Sequence, residues 1–334
     1  MRLATRIPEL TLLIAVIVIG YVVTAIFSQV EGNEVLSPSS IWLVTVGSFL
    51  MSTAIAVIAV IAGVGGGVLY TPVMLAFTSI DTLIIRATGL VVAMFSGLIS
   101  TGPFMRRGLA DIKIILFCSV PYVIGATAGG TMAIFMSANM GATGDAILRL
   151  LLGVVLLFVA FLFITGGASY EYPQGKKPDW LSKLLNLKST YFEESLQKLV
   201  EYQISKALLG FTLFLIVGLV AGFFGLGGGW AAVPVLNLVM ATPLKIAAAS
   251  SGVLLAIGNA TAIWPYIVYG ALIALFAAPW MLGQVVGGIL GAYVLVKVRA
   301  GFVRYFLIAF LLLSCIKLIS RGIEELMGID IPVL

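Results

Sequence analysis

No histidine occurs in the 334 residues, cysteine occurs twice, and only 10% of positions are charged. Each shortage removes a class of function. With no imidazole, with Cys118 and Cys315 dispersed, and with carboxylates nearly missing from the apolar runs, neither a metal cluster nor an acid/base pair can be assembled inside a bilayer. Catalysis, a metal and a cofactor are therefore not expected. The same scarcity leaves Asp81 as the one obvious titratable group for proton coupling. Two cysteines, each inside an apolar run, are too few for a disulfide framework and read as small buried hydrophobes. So few charges cannot coat a water-soluble globule of this size, and no nucleic-acid partner is expected.

What the chain has instead is 61% hydrophobic residues and a mean hydropathy of +1.17. Apolar runs of about 20 residues recur, long enough as helices to cross a hydrocarbon core roughly 30 Å thick. The alternating pattern of a membrane β-barrel is missing, so the expected class is an all-α integral membrane protein in a lipid bilayer. A first run, from about Leu10 to Phe27, follows Arg2 and Arg6 and is read as a retained helix, because no small-residue cleavage site precedes the polar "SQVEGNEVLSPSS".

A glycine triplet appears twice. Gly65, Gly66 and Gly67 match Gly227, Gly228 and Gly229 at an offset of 162 residues, and the offset holds without a gap as far as Gly129 and Gly291, after which a short length difference separates the final helices. Pro72 meets Pro234, Thr88 meets Ser250, Pro103 meets Pro265, Gly108 meets Gly270, Gly125 meets Gly287 and Gly129 meets Gly291. The duplication predicts five segments per copy. The first copy has helices at about 41 to 62, 66 to 79, 82 to 101, 112 to 136 and 146 to 165; the second has them at about 207 to 224, 230 to 241, 244 to 262, 271 to 296 and 301 to 320. In both copies the element after the triplet is only about a dozen residues, too short to span comfortably, and reads as one arm of a broken or re-entrant hairpin.

Basic residues set the orientation. Fourteen of the 19 Lys and Arg fall in the N-terminal tail, at 106 to 113, in the connector from 176 to 206 and at 297 to 304, which places those segments in the cytoplasm. Loops at 29 to 40, 137 to 145 and 264 to 270 belong outside. The two copies then face opposite ways as an inverted-topology repeat. The division expected is 1–40 for an N-terminal helix and outer loop, 41–165 for the first repeat, 166–206 for a cytoplasmic amphipathic connector, 207–321 for the second repeat and 322–334 for a tail. Within the connector, Asp179 and the capping-box spacing of "TYFE" at 190 to 193 predict two short amphipathic helices.

A helix broken in a bilayer is tolerated only where protein or a water-filled cavity surrounds it. A short helix starting just after a glycine triplet aims unpaired N–H groups and a positive dipole end at the gap, which favours an anion. The competing reading is close packing of small residues.

"GVGGGVLYTPVML" with "IRATGL", and "GLGGGWAAVPVLNLVMATPLKIAAASSG", resemble the duplicated signature of the sulfite exporter TauE/SafE family of membrane permeases over roughly residues 41 to 321. The resemblance implies secondary transport of a small sulfur-containing or organic anion (sulfite, sulfonate or sulfoacetate type) across a prokaryotic inner membrane, with a passive anion channel as the alternative. A homodimer is compatible with it and not required. Carried over onto this sequence, the substrate-binding positions are Gly65, Gly66, Gly67, Thr88, Gly227, Gly228, Gly229, Ser250 and Ser251. Arg86 departs from the family pattern, which has an apolar or small residue there. It is read either as a forked ligand for the anion or as the partner of Asp81, or as snorkelling to the surface. Tyr70 and Trp230 follow the triplets and could close the pocket; Asn259 is assigned to the path, while Gln284, Ser96, Ser100 and Thr261 are assigned to packing. Lys245, Trp264, Tyr266 and Tyr269 are expected as interfacial anchors.

Overall fold

The computed structural model describes residues 38–62, 65–106, 108–165, 177–193, 197–295 and 300–328. The N-terminal helix expected at 10 to 27, with Gly63, Arg107 and the basic residues Lys297 and Arg299, lies outside them. In chain order the helices are α1 (Pro38–Ala62), α2 (Gly66–Phe77), α3 (Thr82–Arg106), α4 (Ile112–Thr165), α5 (Trp180–Leu184), α6 (Ala207–Phe224), α7 (Gly229–Pro234), α8 (Leu244–Val268), α9 (Ala274–Leu295) and α10 (Ala300–Met327). Strands β1 (Lys188–Glu193) and β2 (Lys198–Gln203) separate α5 from α6. Among the described residues five helices are long and apolar enough to cross a membrane. One of these, α4, holds a 51-residue apolar run, divided where Gly141 leaves helical geometry at φ 49°. The molecule is a multi-pass, all-α membrane protein, apart from one small hairpin.

Both glycine triplets break the backbone as their composition demands. Gly65 is extended (φ −70°, ψ 145°) ahead of α2. In the second copy Gly225 and Gly227 take φ +69° and +67°, a region that a Cβ would strain. The element after each break is short: α2 has 12 residues, and α7 has six before Val235–Val239 continues as a π-helical stretch. Pro234, which has no N–H to donate, stands at the change of winding.

Lipid tails supply no hydrophobic drive between helices, so packing depends on backbones coming close at small residues. Two seams do this. Gly125 and Gly129 of α4 lie against the Leu215 and Leu219 carbonyls of α6, and Gly218 and Gly222 of α6 return the contact to Tyr122 and Ala126. Gly287 and Gly291 of α9 lie against Thr53 and Val57 of α1. A third close approach sets Gly97 of α3 on the Gly252 carbonyl of α8. A fourth joins Gly153 of α4 to Ile319 of α10, where the Cys315 thiol donates to the Gly153 carbonyl over 3.2 Å. Both cysteines are buried and free.

The connector corrects the expectation of two amphipathic helices. The first is present as the single turn α5, whose N-cap Asp179 accepts from the Ser182 amide. In place of the second stands an antiparallel hairpin pairing Lys188 with Gln203 through Glu193 with Lys198. The "KSTYFE" segment is rich in β-branched and aromatic residues, and its burial alternates, with Tyr191 and Glu193 inward. The hairpin is tied to the helices at three points: Glu193 pairs with Lys245 of α8 at 2.5 Å, Lys113 Nζ of α4 donates to the Lys188 carbonyl over 3.0 Å, and the Tyr202 hydroxyl donates to Asp111 at 2.5 Å. Burial, and then that carboxylate, push the Tyr202 phenol's pKa up, so it stays the donor. Lys245 is thus an ion-pair partner as well as a residue beside the turn. Helix α10 also runs to Met327, past the expected end of the second repeat.

Asp179 caps two helices, since its other oxygen accepts the Leu208 amide at the start of α6, where Lys206 offers no side-chain cap. Partial desolvation raises its pKa, but the hydrogen bonds from Ser182, Ala207 and Leu208 outweigh this and hold the carboxyl below its ordinary value. A depressed folded pKa means the stabilisation is complete above the unfolded value, about 3.9, and is lost as pH falls through the folded one. Asp179→Ala is therefore expected to destabilise the α5–α6 junction by about 1 kcal/mol at neutral pH, with the difference from wild type closing only in acid. Hydrogen exchange at the Ala207 and Leu208 amides across the pH range reads this.

Candidate functional site

The two breaks meet. A Cβ built on Gly65 would stand 3.6 Å from Gly229 Cα, and these two glycines are partly exposed while Gly66, Gly67, Gly227 and Gly228 are buried. Around the meeting point each triplet is closed by a polar side chain from the other half of the chain. Gly66 sits under the Gln284 amide of α9, with Oε1 as its nearest neighbour, and its own N–H donates to Ser96 Oγ over 3.0 Å. Gly228 sits under the Tyr122 ring of α4, whose hydroxyl donates to Asn259 Oδ1 over 2.8 Å. Asn259 Nδ2 in turn lies 3.2 Å from where a Cβ on Gly227 would be. Gly67 is pressed between the Gly89 carbonyl, the Leu226 carbonyl and Ala93.

One helical turn beyond Gly66, Tyr70 packs edge-on against Trp280, ring centroids 4.5 Å apart. Trp280 is itself one turn before Gln284 on α9, so both project from the same face. Four polar atoms in this neighbourhood are buried without a hydrogen-bond partner in the protein, Trp230 Nε1, Asn259 Nδ2, Trp280 Nε1 and Gln284 Oε1, while the Tyr70 and Thr88 hydroxyls lie beside one another. A buried polar group that loses water and gains nothing costs about 1–3 kcal/mol, so such a concentration asks for a function. Two surface hollows, one by Thr45, Phe49 and Pro279 and one along Val123 to Phe135, lie on the apolar flanks and touch neither triplet.

Arg86 is elsewhere. It is fully buried, and it donates from Nε to the Thr82 carbonyl, from Nη2 to Thr82 Oγ1 (both 3.1 Å) and from Nη1 to the Phe223 carbonyl at 3.4 Å. Asp145 is 3.9 Å away and accepts from Thr82 Oγ1. Asp81, the partner weighed from the sequence, instead accepts the Leu83 and Ile84 amides at the start of α3. Nor does the guanidinium snorkel to the surface. It holds the C-terminal end of α6, together with Tyr266, which donates to the Gly222 carbonyl, and Thr71, which donates to the Gly225 carbonyl. A cation and two hydroxyls thereby satisfy the carbonyls that the break leaves open.

Of the residues picked from sequence, Gly65 meets Gly229, Asn259 reaches Gly227, Tyr70 lies one turn from Gly66 and beside Thr88, and Trp230 directly follows Gly229. Ser250 accepts the Asp111 amide and Ser251 donates to the Ala248 carbonyl, so both hydroxyls are engaged away from the triplets. Tyr266 is wholly buried and not an interfacial anchor, whereas Trp264 and Tyr269 are exposed. Ser96 and Gln284, assigned to packing, prove to touch Gly66, and Thr261 bonds back to Gly258 within α8. Tyr122 and Trp280 were missed. A signal existed for Tyr122: it stands opposite Gln284 at the same 162-residue offset, both polar in the middle of apolar runs.

The profile of the family described as Sulfite exporter TauE/SafE matches residues 48–318. The chain is 24% identical over 269 residues to "Probable membrane transporter protein YunE" of Bacillus subtilis (strain 168), covering 78% of this chain and 92% of that protein. No solved structure matches.

Proposed function

The chain belongs to the sulfite exporter TauE/SafE family, and from that premise we propose that it is a secondary carrier of small sulfur-containing or organic anions, with its site where the two glycine breaks meet. The observation that carries this reading is the concentration of buried, unspent polar groups around Gly65 and Gly229.

Contacts that exchange under the repeat offset support two inverted halves, 41–165 and 207–321. Gly125 on Leu215 has its counterpart in Gly287 on Thr53, and Gly129 on Leu219 in Gly291 on Val57. Gly66 under Gln284 has its counterpart in Gly228 under Tyr122. On this reading segments 1–40, 166–206 and 322–334 are additions, and the basic segments place the N-terminus and connector in the cytoplasm of a prokaryotic inner membrane. Rocking of one half against the other would expose the shared site to each side in turn.

Uptake of labelled sulfite into proteoliposomes tests the carrier. Saturating uptake is expected, and it separates a carrier from a passive anion channel, which would give conductance without saturation. Gly66→Ala drives a methyl into Gln284, and Gly228→Ala drives one to 2.6 Å from the Tyr122 ring. Each is expected to lower uptake at least about tenfold, the equivalent of about 1.4 kcal/mol, while the protein still elutes as a folded species. Wild-type uptake in both variants would reject the site.

A further inference from the structure

Gln284 is the one side chain at the meeting point whose orientation is settled by its neighbours. Its Nε2 lies 3.3 Å from the Ser52 carbonyl, which can only accept, and the Ser52 hydroxyl is spent on the Trp280 carbonyl over 2.6 Å. The amide must therefore present Nε2 to α1 and Oε1 to Gly66, the first residue of the 12-residue α2. Gln284 is wholly buried, and Oε1 has no donor in the protein. The other orphans include obligate donors, the Trp230 and Trp280 indoles, together with Asn259 Nδ2; the Tyr70 and Thr88 hydroxyls lie beside one another.

Among the described residues no cation joins this set. Arg86 is engaged at the end of α6, and Lys245 pairs with Glu193 beside the connector. Neutral donors and a helix end equivalent to roughly half a charge can offset one buried negative charge far better than two, because the cost of desolvating an ion rises with the square of its charge.

We propose, building on the carrier reading, that this site selects an oxyanion in its singly protonated form: one negative charge for the indoles and amide, and one O–H for Gln284 Oε1. The proton then crosses on the substrate and is released to water when the acid ionises on the far side. This accounts for a carrier that has no carboxylate or imidazole at its site among the described residues. Helices α1, α6 and α7 carry no titratable side chain. Those nearest the cluster elsewhere are Tyr70 of α2, Tyr122 and Cys118 of α4 and Tyr266 of α8, which ordinarily ionise above neutrality, and the engaged Arg86.

Calorimetric titration of the full chain in detergent tests the inference with three probes: sulfite, across a pH range spanning its second ionisation; methanesulfonate, a monoanion with no donor; and sulfate, a dianion throughout. Apparent sulfite affinity is expected to fall about tenfold for each pH unit above that ionisation, as the protonated form is depleted. Methanesulfonate should bind about tenfold or more weakly than protonated sulfite, because Oε1 stays unpaired, and its affinity should not change with pH. Sulfate should not bind. In Gln284→Leu the preference for the hydroxyl is expected to vanish; the wild-type pH series stands without it should that variant fail to fold. A pH-independent sulfite affinity, or sulfate binding as tightly, overturns the inference and leaves the carrier reading in place. Binding of none of the three overturns both.

Discussion

Arg86→Met is expected to lower stability by about 3–5 kcal/mol, the range seen when one partner of a buried charged network is removed. The methionine fills most of the volume, so the loss is polar. Without the guanidinium, the Phe223 carbonyl and the Thr82 hydroxyl and carbonyl each lose a donor, deep in the bundle where water does not replace it. Asp145 is a quarter exposed and can hydrate, so the stranded groups are chiefly those on α3 and α6. Arg86→Lys should fall between, because an ammonium has no planar fork with which to reach Thr82 and Phe223 together. Thermal unfolding in detergent measures all three proteins. If Arg86 held the substrate instead, the methionine variant would melt with wild type and lose anion affinity, the pattern that a forked ligand requires.

Gly222→Ala should be comparably damaging for a different reason. The added methyl would overlap the Ala126 carbonyl and lie 2.7 and 3.0 Å from Ala126 carbonyl carbon and Cα, all backbone of α4 that cannot turn aside. Overpacking usually costs about 1–3 kcal/mol when side chains can yield; here the two helices must part, so a loss of about 3 kcal/mol or more is expected. The same movement pulls the Gly222 carbonyl from the Tyr266 hydroxyl. Gly47→Ala provides the contrast. Gly47 lies in α1 with nothing within 4 Å of a built Cβ, so alanine there should be neutral or stabilising by up to about 1 kcal/mol, the helix-propensity gain. Equal melting temperatures for the two variants would show that the α4–α6 seam is looser than its geometry implies.

The pattern of the fold that a sequence exposes is the pattern that local chemistry writes. Helix α6 was legible to the residue, because an uninterrupted apolar run ends at Gly225 in a left-handed cap. The breaks were legible because glycine triplets and short following arms have few other uses in lipid. The connector was misread for an instructive reason. Leu196, Leu199 and Val200 match a helical face and "TYFE" matches a capping box, yet residues 188 to 193 also alternate with period two, and their inward glutamate finds Lys245. That partner lies 52 residues away and decides between the two periods.

The site was partly legible on the same terms. Tyr70, Trp230 and Asn259 follow from nearness to the triplets or from polarity inside a span. Arg86 looked available for a ligand because neither the Phe223 carbonyl nor Asp145 is visible from its neighbours in sequence, 137 and 59 residues off. Ser250 looked available because its own helix offers no partner, whereas the Asp111 amide arrives from a distant turn. Polar side chains in a membrane helix announce that something must meet them. Whether that is solute or backbone is decided by packing between segments.

The burial of Cys118 and Cys315, at 0% and 1% exposure, leads to the expectation that the chain as it stands reacts little with thiol reagents. A spin label or fluorophore attached through maleimide would therefore report only on an introduced cysteine. Thr190→Cys on the hairpin and Ile112→Cys at the start of α4, both at exposed positions, form a pair for pulsed dipolar or energy-transfer distances, with no background to subtract.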